Sequence, residues 1–359
     1  MAGQRDKAVG IAVVGCGRIG SLRAQCLSRN TAVKYLAVCD LIEEKARALA
    51  AKCGDAEVAL DYRKVIEDPR VDAVIISTGE DEHYEPLLAA ARLGKTILVE
   101  KPFVLRLNEA AKVLEVAGKN SAKIFIGYTQ RFRRRFLTAK EQVESGFLGG
   151  IDSAFGKIYV TQAVGEAVIS RAPETTPSIN TLTYQVDMML WYFEGKKVQS
   201  VYAQSVSRIF RNPQKTPDAT WAILKFDDES ICTLGVSWQL PKRYPAYVCT
   251  MELELFGPNG TLSIDDSHRE YILASESPIP ASYTPDVLMN TAFIGSAMPG
   301  DWALGHYWGP LKEETDAFME TVISGVVHPA LATGDHGYRV LELTLAIDRA
   351  AREGKVVTL

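Results

Sequence analysis

The segment VGIAVVGCGRIG, residues 9–20, decides how the chain begins to fold. Val9–Val14 form a short apolar run, three glycines follow at Gly15, Gly17 and Gly20, and a helical pattern starts at Ile19. A G-x-G-x-x-G spacing has physical meaning in this context, between a strand and a helix. Gly15 permits a tight turn, Gly17 lets a diphosphate approach the backbone, and Gly20 allows close helix–strand packing. The helix start presents N–H groups and partial positive charge to phosphates. Gly15, Gly17, Arg18, Ile19 and Gly20 are therefore candidate cofactor contacts. Asp40 closes the next apolar run, VKYLAVCD (33–40), twenty residues beyond Gly20. A carboxylate there accepts hydrogen bonds from both ribose hydroxyls and repels a 2′-phosphate, and the next cation along the chain is Lys45. The expected cofactor is NAD in preference to NADP. The alternative role for Asp40, capping a helix that begins near Ile42, is compatible with the first.

Outward from this segment, strand and helix signals alternate through residue 130. VDAVIIST (71–78), KTILVEK (95–101) and AKIFIGYT (122–129) are further apolar runs, separated by helical patterns. Apolar runs without alternation indicate a sheet covered on both faces, hence parallel. After Arg131 the texture changes. In CTMELELFG (249–257), Met251, Leu253 and Leu255 alternate with Thr250, Glu252 and Glu254, the pattern of a half-solvated antiparallel strand. GKIYVTQAV (156–164) reads as a strand, and two helices end the chain. The expected fold is α/β: a doubly wound Rossmann domain over 1–130, then an α+β domain over 131–359 with a large open, mostly antiparallel sheet. Strand 219–226, ATWAILKF, reads as apolar on both faces, which predicts a sheet covered by another copy in a homodimer or homotetramer.

Composition narrows the function classes. A net charge of −4 is too small and of the wrong sign for a nucleic-acid or anionic-membrane binder. No apolar run reaches the roughly 18 residues of a membrane span. The start MAGQRDKAVG lacks signal-peptide features, and the six cysteines have no metal-like or disulfide-like spacing. Buried free thiols in a cytoplasmic protein are expected. The five histidines are scattered, so no metal site is expected.

Two further stretches carry candidate chemistry. VEKPF (99–103) ends an apolar strand where a doubly wound sheet places its ligand crevice. The residue before a proline is held extended, so Lys101 is presented from a stiff backbone, although on spacing alone it is also an ordinary surface lysine. INTLTYQVDMMLWYFEG (179–195) has helical spacing and is apolar on most sides. Asn180, Tyr184, Asp187 and Trp191 fall on one stripe at i, i+4, i+7 and i+11. Buried polar side chains on such a helix need partners, from neighbouring protein or from substrate.

Together these residues resemble the Gfo/Idh/MocA oxidoreductases, the group of glucose-fructose oxidoreductase, inositol dehydrogenases and dimeric dihydrodiol dehydrogenase. The resemblance rests on GCGRIG, Asp40, VDAVIIST followed by His83, GKTILVEKP, GYTQRF (127–132), the helix ending WYFEG, and FGPNGTLSID, and it spans almost the whole chain. It implies that Lys101 lies beside the nicotinamide and the substrate oxygen, and that Ser77, Thr78 and Glu100 line the cofactor. Most members carry Asp, His and Asp where this chain has Asn180, Tyr184 and Asp187. The chain is similar to a minority branch with Tyr as the acid–base. STGEDEH (77–83) also departs from the common TPN form. Free tyrosine titrates near about 10. A lysine ammonium about 4 Å away at an effective dielectric near 20 favours the phenolate by roughly 4 kcal/mol, about three pH units before burial opposes it. Tyr184 is thus the candidate proton shuttle, with a hydrogen-bonded core tyrosine as the alternative, and Asp187 reads as supporting structure. Arg131 matches the family's RF pair. Arg131, Arg171 and Asn180 are candidate substrate contacts. Trp221, Trp238, Tyr307 and Trp308 read as core or interface.

The expected activity is hydride transfer between NAD and a secondary alcohol or ketone of a sugar, cyclitol or related cyclic polyol. A dihydrodiol dehydrogenase of aromatic breakdown, with a carboxylated substrate, is the rival enzyme. A non-catalytic NAD-binding sensor is the rival of another class.

Overall fold

The computed structural model describes residues 8–54, 56–246, 248–267, 271–294 and 299–359. The chain divides into two compact units, Met1–Phe132 with Gly300–Arg339, and Arg133–Pro299 with Val340–Leu359. The simple expectation of a single boundary near residue 130 therefore leaves out a late segment, 300–339, that packs with the first unit.

The first unit opens with β1 (Val9–Val14), α1 (Arg18–Leu27), β2 (Val33–Cys39), α2 (Glu43–Lys52), β3 (Glu57–Ala59) and α3 (Tyr62–Glu67). It continues with β4 (Ala73–Ile76), α4 (Tyr84–Arg92), β5 (Thr96–Glu100), α5 (Leu107–Asn120) and β6 (Lys123–Gly127). These six strands pair in parallel in the order β6-β5-β4-β1-β2-β3. Every residue of β1 and β4 is buried, as unalternated apolar strands require. The strand order reverses between β1 and β4, which puts the ends of those strands at the crevice such sheets use for ligands.

The second unit carries α6 (Arg134–Glu144), β7 (Ser153–Thr161), α7 (Gln162–Arg171) and α8 (Thr183–Tyr192). Its strands are β8 (Val198–Val206), β9 (Ala219–Phe226), β10 (Ile231–Leu240), β11 (Cys249–Gly257) and β12 (Gly260–Asp265), with a separate hairpin of β13 (Ile272–Pro280) and β14 (Leu288–Phe293). Residues 162–164 correct the reading of 156–164 as one strand. Thr161 ends β7 and its Oγ1 accepts from the Val164 N–H at 3.3 Å, capping α7.

The chain then returns through β15 (Asp301–Ala303), β16 (His306–Trp308), α9 (Pro310–Ser324) and β17 (Ala332–Thr333), which adds an antiparallel edge to β6. Helix α10 (Gly334–Glu353) and β18 (Val357–Thr358) close it. The second sheet runs β12-β11-β7-β10-β9-β8-β18, antiparallel except for β7 with β10. Gln185 of α8 docks on it, its Nε2 donating to the Lys157 and Glu252 carbonyls at 3.0 Å each. A side chain at Gly156 would collide with Gln185, since a Cβ there would lie 2.6 Å from its Oε1.

Strand β9 carries apolar residues on both faces, as read from the sequence, but within the chain only one face is covered. Its burial alternates, leaving Trp221 and Ile223 exposed at 41% and 51%. Trp221 lies over Gly235, where a Cβ would come within 2.5 Å of its ring, and it stacks on Phe155 at 6.2 Å. All six cysteines are free, five of them buried. No described helix is long and apolar enough to cross a membrane.

Candidate active site

In the first unit, Gly15 adopts φ +97°, and a Cβ there would lie 2.5 Å from the Ser77 carbonyl carbon and oxygen. Only glycine fits that turn. A Cβ at Gly20 would sit 1.9 Å from the Gly15 carbonyl oxygen, so its absence lets α1 leave directly from the strand end. Gly17 is different: among the described residues nothing lies within 4 Å of a Cβ built on it. It precedes α1, no side chain among the described residues caps that helix, and Gly17 and Arg18 are exposed. An open, uncapped N-terminus of this kind accepts an anion. The Ser77 Oγ and Thr78 Oγ1 atoms, beside the same turn, are buried without a hydrogen-bond partner among the described residues. Unpaired buried hydroxyls are costly, and a polar ligand would satisfy them. These features fit a dinucleotide diphosphate with its ribose.

Asp40 serves the loop as well. Its Oδ2 accepts from the Cys16 N–H at 2.8 Å and its Oδ1 from the Ile42 N–H at 2.9 Å. Helix α2 begins at Glu43 after Ile42, without a side-chain cap, so Asp40 forms a turn ahead of the helix and is not its cap. Each carboxylate oxygen keeps lone-pair capacity for a ribose hydroxyl. Burial, and then the Asp40 charge, push the Cys16 thiol up to about 12, so it stays neutral beside the loop.

Glu100, expected to line the cofactor, takes part in a buried ionic network that sequence reasoning missed. Arg23 of α1, wholly buried, donates from Nε to Glu100 Oε1 at 2.6 Å, from Nη2 to Glu314 Oε2 at 2.5 Å, and from Nη1 to Thr315 Oγ1 at 3.0 Å. Burial alone would disfavour the guanidinium charge. Glu100 and Glu314 outweigh it and hold Arg23 protonated. A signal was available: Arg23 stands between Ile19 and Leu27 at i, i+4 and i+8, a charge set in the apolar stripe of its helix.

Lys101, directly after β5, is half-buried, and its bond to Pro102 is cis. Pro102, Phe103 and Val104 behind it are buried. Arg131 lies in the short 3₁₀ turn Thr129–Phe132, is buried, and has Nη2 2.7 Å from His336 Nε2. Arginine only donates, so Nε2 of His336 is the acceptor and its proton sits on Nδ1.

In the second unit, the segment before α8 is a π-turn, Ser178–Leu182, and not the first turn of a continuous α-helix. The wider turn corrects the even stripe read from spacing, since Asn180 belongs to the π-turn while Tyr184 and Asp187 belong to the α-helix. Trp238 Nε1 donates to Thr181 Oγ1 at 2.9 Å, and that hydroxyl donates to Asn180 Oδ1 at 3.2 Å. The relay fixes the acceptor end of the Asn180 amide. From Pro177 to Phe193 every residue is buried except Tyr184, which is half-buried. Asp187 is wholly buried. Thr176 Oγ1 donates to Asp348 Oδ2 at 2.5 Å and accepts from the Ile179 N–H at 3.2 Å, tying the start of the π-turn to α10. Arg171, the last residue of α7, is exposed, and its Nη1 donates to the Tyr283 hydroxyl at 2.5 Å. Among the described residues no group of three or more His, Cys, Asp or Glu could hold a metal ion.

Comparison with known proteins agrees with both units. Residues 9–128 match the model for the oxidoreductase family with an NAD-binding Rossmann fold, and residues 136–263 match the GFO/IDH/MocA C-terminal domain. A myo-inositol 2-dehydrogenase of Thermotoga maritima is 26% identical over 97% of this chain and 98% of its own length. The scyllo-inositol 2-dehydrogenase (NAD(+)) of Bacillus subtilis is 33% identical over 38% of this chain and 41% of its own. The crystal structure of scyllo-inositol dehydrogenase from Lactobacillus casei with bound NAD(H) and scyllo-inositol superposes with a TM-score of 0.77 at 18% identity, covering 98% and 99% of the two chains, which shows a common fold. A glycine loop shaped for a diphosphate, an acid at the next strand end, and family matches to both domains lead to one conclusion: the chain belongs to the Gfo/Idh/MocA oxidoreductases and binds NAD through its Rossmann domain.

Proposed function

We propose that this protein is an NAD-dependent cyclitol dehydrogenase, oxidising a ring secondary alcohol to the ketone or catalysing the reverse. The observation that carries the reading is the end-to-end similarity to a myo-inositol 2-dehydrogenase. NAD supplies the hydride acceptor. On this reading Tyr184 takes the hydroxyl proton as the carbon–hydrogen bond breaks, and Lys101 holds the substrate oxygen. The access that Tyr184 alone retains in its segment supports this role. Gly15, Gly17, Arg18, Ile19, Gly20, Asp40, Ser77 and Thr78 hold the cofactor. Asn180, whose carbonyl oxygen accepts from the Thr181 hydroxyl, is the candidate to orient a substrate oxygen. Arg131 and Arg171 have protein partners at His336 and Tyr283, so any role in orienting substrate is secondary.

The experiment is formation of reduced nicotinamide with inositols, sugars and cyclic diols. Turnover of an inositol supports the proposal. Turnover confined to an aromatic dihydrodiol, or NAD binding with none, refutes it. Lys101→Met should bind NAD nearly as well and lose about a hundredfold or more in turnover.

The exposed face of the second sheet, with Tyr202, Trp221, Ile223 and Phe256 outward, is proposed to pair with a second copy of the chain. Light scattering that finds only a 39.4 kDa species at micromolar concentration overturns that proposal.

A further inference from the structure

His83 stands where α4 begins, its carbonyl accepting from the Leu87 N–H at 3.1 Å. The backbone is thereby rooted in a helix, and the residue is 1% exposed. Nδ1 lies 2.9 Å from the carbonyl oxygen of Pro102, the residue after Lys101. A carbonyl oxygen only accepts, so Nδ1 carries the hydrogen. Nε2 is buried with no hydrogen-bond partner among the described residues. The neutral ring with its proton on Nδ1 is the form that leaves no N–H unpaired. A buried imidazole with one nitrogen unpaired is not what packing alone selects, because an apolar side chain would fill the space without that cost. Its single bond is therefore the informative one.

We propose that His83 is a positioning residue for Lys101, acting through the Pro102 carbonyl. The proline ring sets one backbone torsion of Pro102. The hydrogen bond from His83 sets the plane of the following peptide, and with it the other. On the opposite side, Glu100 is held in the ladder of β5 with β6, paired with Gly127. Lys101 is thus clamped between a strand end and a pinned proline, and its side chain leaves from a backbone that cannot swivel. This inference rests on the role proposed for Lys101, where a displacement of about 1 Å can cost a hundredfold.

The test compares His83→Leu, which fills space without a donor, with His83→Asn, whose amide N–H group occupies the place of Nδ1. With a confirmed substrate, His83→Leu should lower kcat about tenfold or more while the Kd for NAD stays within about threefold, and His83→Asn should recover most of the loss. Combined with Lys101→Met, His83→Leu should cost nothing further. A second readout needs no turnover: in the protein without substrate, methyl-labelled lysines give a resonance assignable to Lys101 through Lys101→Met. That resonance should move in His83→Leu and return in His83→Asn. Equal kcat in His83→Leu and the unmodified protein, failure of His83→Asn to recover, or an unmoved Lys101 resonance overturns the proposal. If Lys101→Met is itself fully active while the resonance behaves as stated, the placement stands and the catalytic reading is what fails.

Discussion

Replacing Arg23 by Met would test the buried network at the base of the cofactor-binding unit. The methionine fills much of the volume and removes the charge that faces Glu100 Oε1 at 2.6 Å and Glu314 Oε2 at 2.5 Å. Glu314 has 1% side-chain exposure, while Glu100 has 13%. Removing one partner of a buried ion pair costs about 3–5 kcal/mol, because a charge is stranded. The second carboxylate places Arg23→Met toward the upper end. At about 2–4 °C per kcal/mol, the melting transition of the first unit should fall by about 6–20 °C. Adding Glu314→Gln removes the stranded charge and should recover about 1–3 kcal/mol at neutral pH. Calorimetry and urea titration of the single and double variants would measure this. A loss under about 1 kcal/mol, or no recovery on adding Glu314→Gln, would refute the assignment of Arg23 as the counter-charge for both acids.

Asp40→Ser should narrow the preference for NAD over NADP by about tenfold or more, because charge-assisted hydrogen bonds to the ribose are lost with the repulsion. Titration calorimetry measures it, and tighter NADP binding by the unmodified protein would contradict the role. Tyr184→Phe should fold normally and lose about a hundredfold in turnover, whereas Asp187→Ala should chiefly lower stability, by about 1–3 kcal/mol. Kinetics alongside melting curves separate the two, and a fully active Tyr184→Phe enzyme would remove Tyr184 as the proton shuttle. Burial raises the pKa of the Asp348 carboxyl from its usual 3.8, the bond from Thr176 opposing. Its favourable contribution to folding is thus present below that value and lost as pH rises through the folded one. Asp348→Asn should therefore melt at an equal or higher temperature at neutral pH, and a marked drop would show that the ionised carboxylate is needed.

The alternating strands and helices of the first unit, the glycine loop and the acid at Asp40 were legible because they are local. Strand periodicity, a turn that needs positive φ, and a helix start depend on residues a few positions apart, and the parallel sheet follows from apolar runs that do not alternate. The open second sheet was legible for the same reason in CTMELELFG, where every other residue is polar. Features that depend on distant partners were not. Arg23 meets Glu314 across 291 residues of chain, and His83 meets Pro102 across 19. Sequence spacing placed Arg23 in an apolar stripe but could not name its counter-charge. The helix read from Asn180 to Trp191 was right in its burial, yet its π-turn follows from the ties of Thr176 to Asp348 and Thr181 to Trp238, both made to distant elements. The return of 300–339 to the first unit is of the same kind, since β17 finds its place by pairing with β6. Local chemistry determined which elements form. Only the tertiary structure decided which buried polar groups meet, because a charge or an imidazole taken out of water is stable only beside a partner that the rest of the chain delivers.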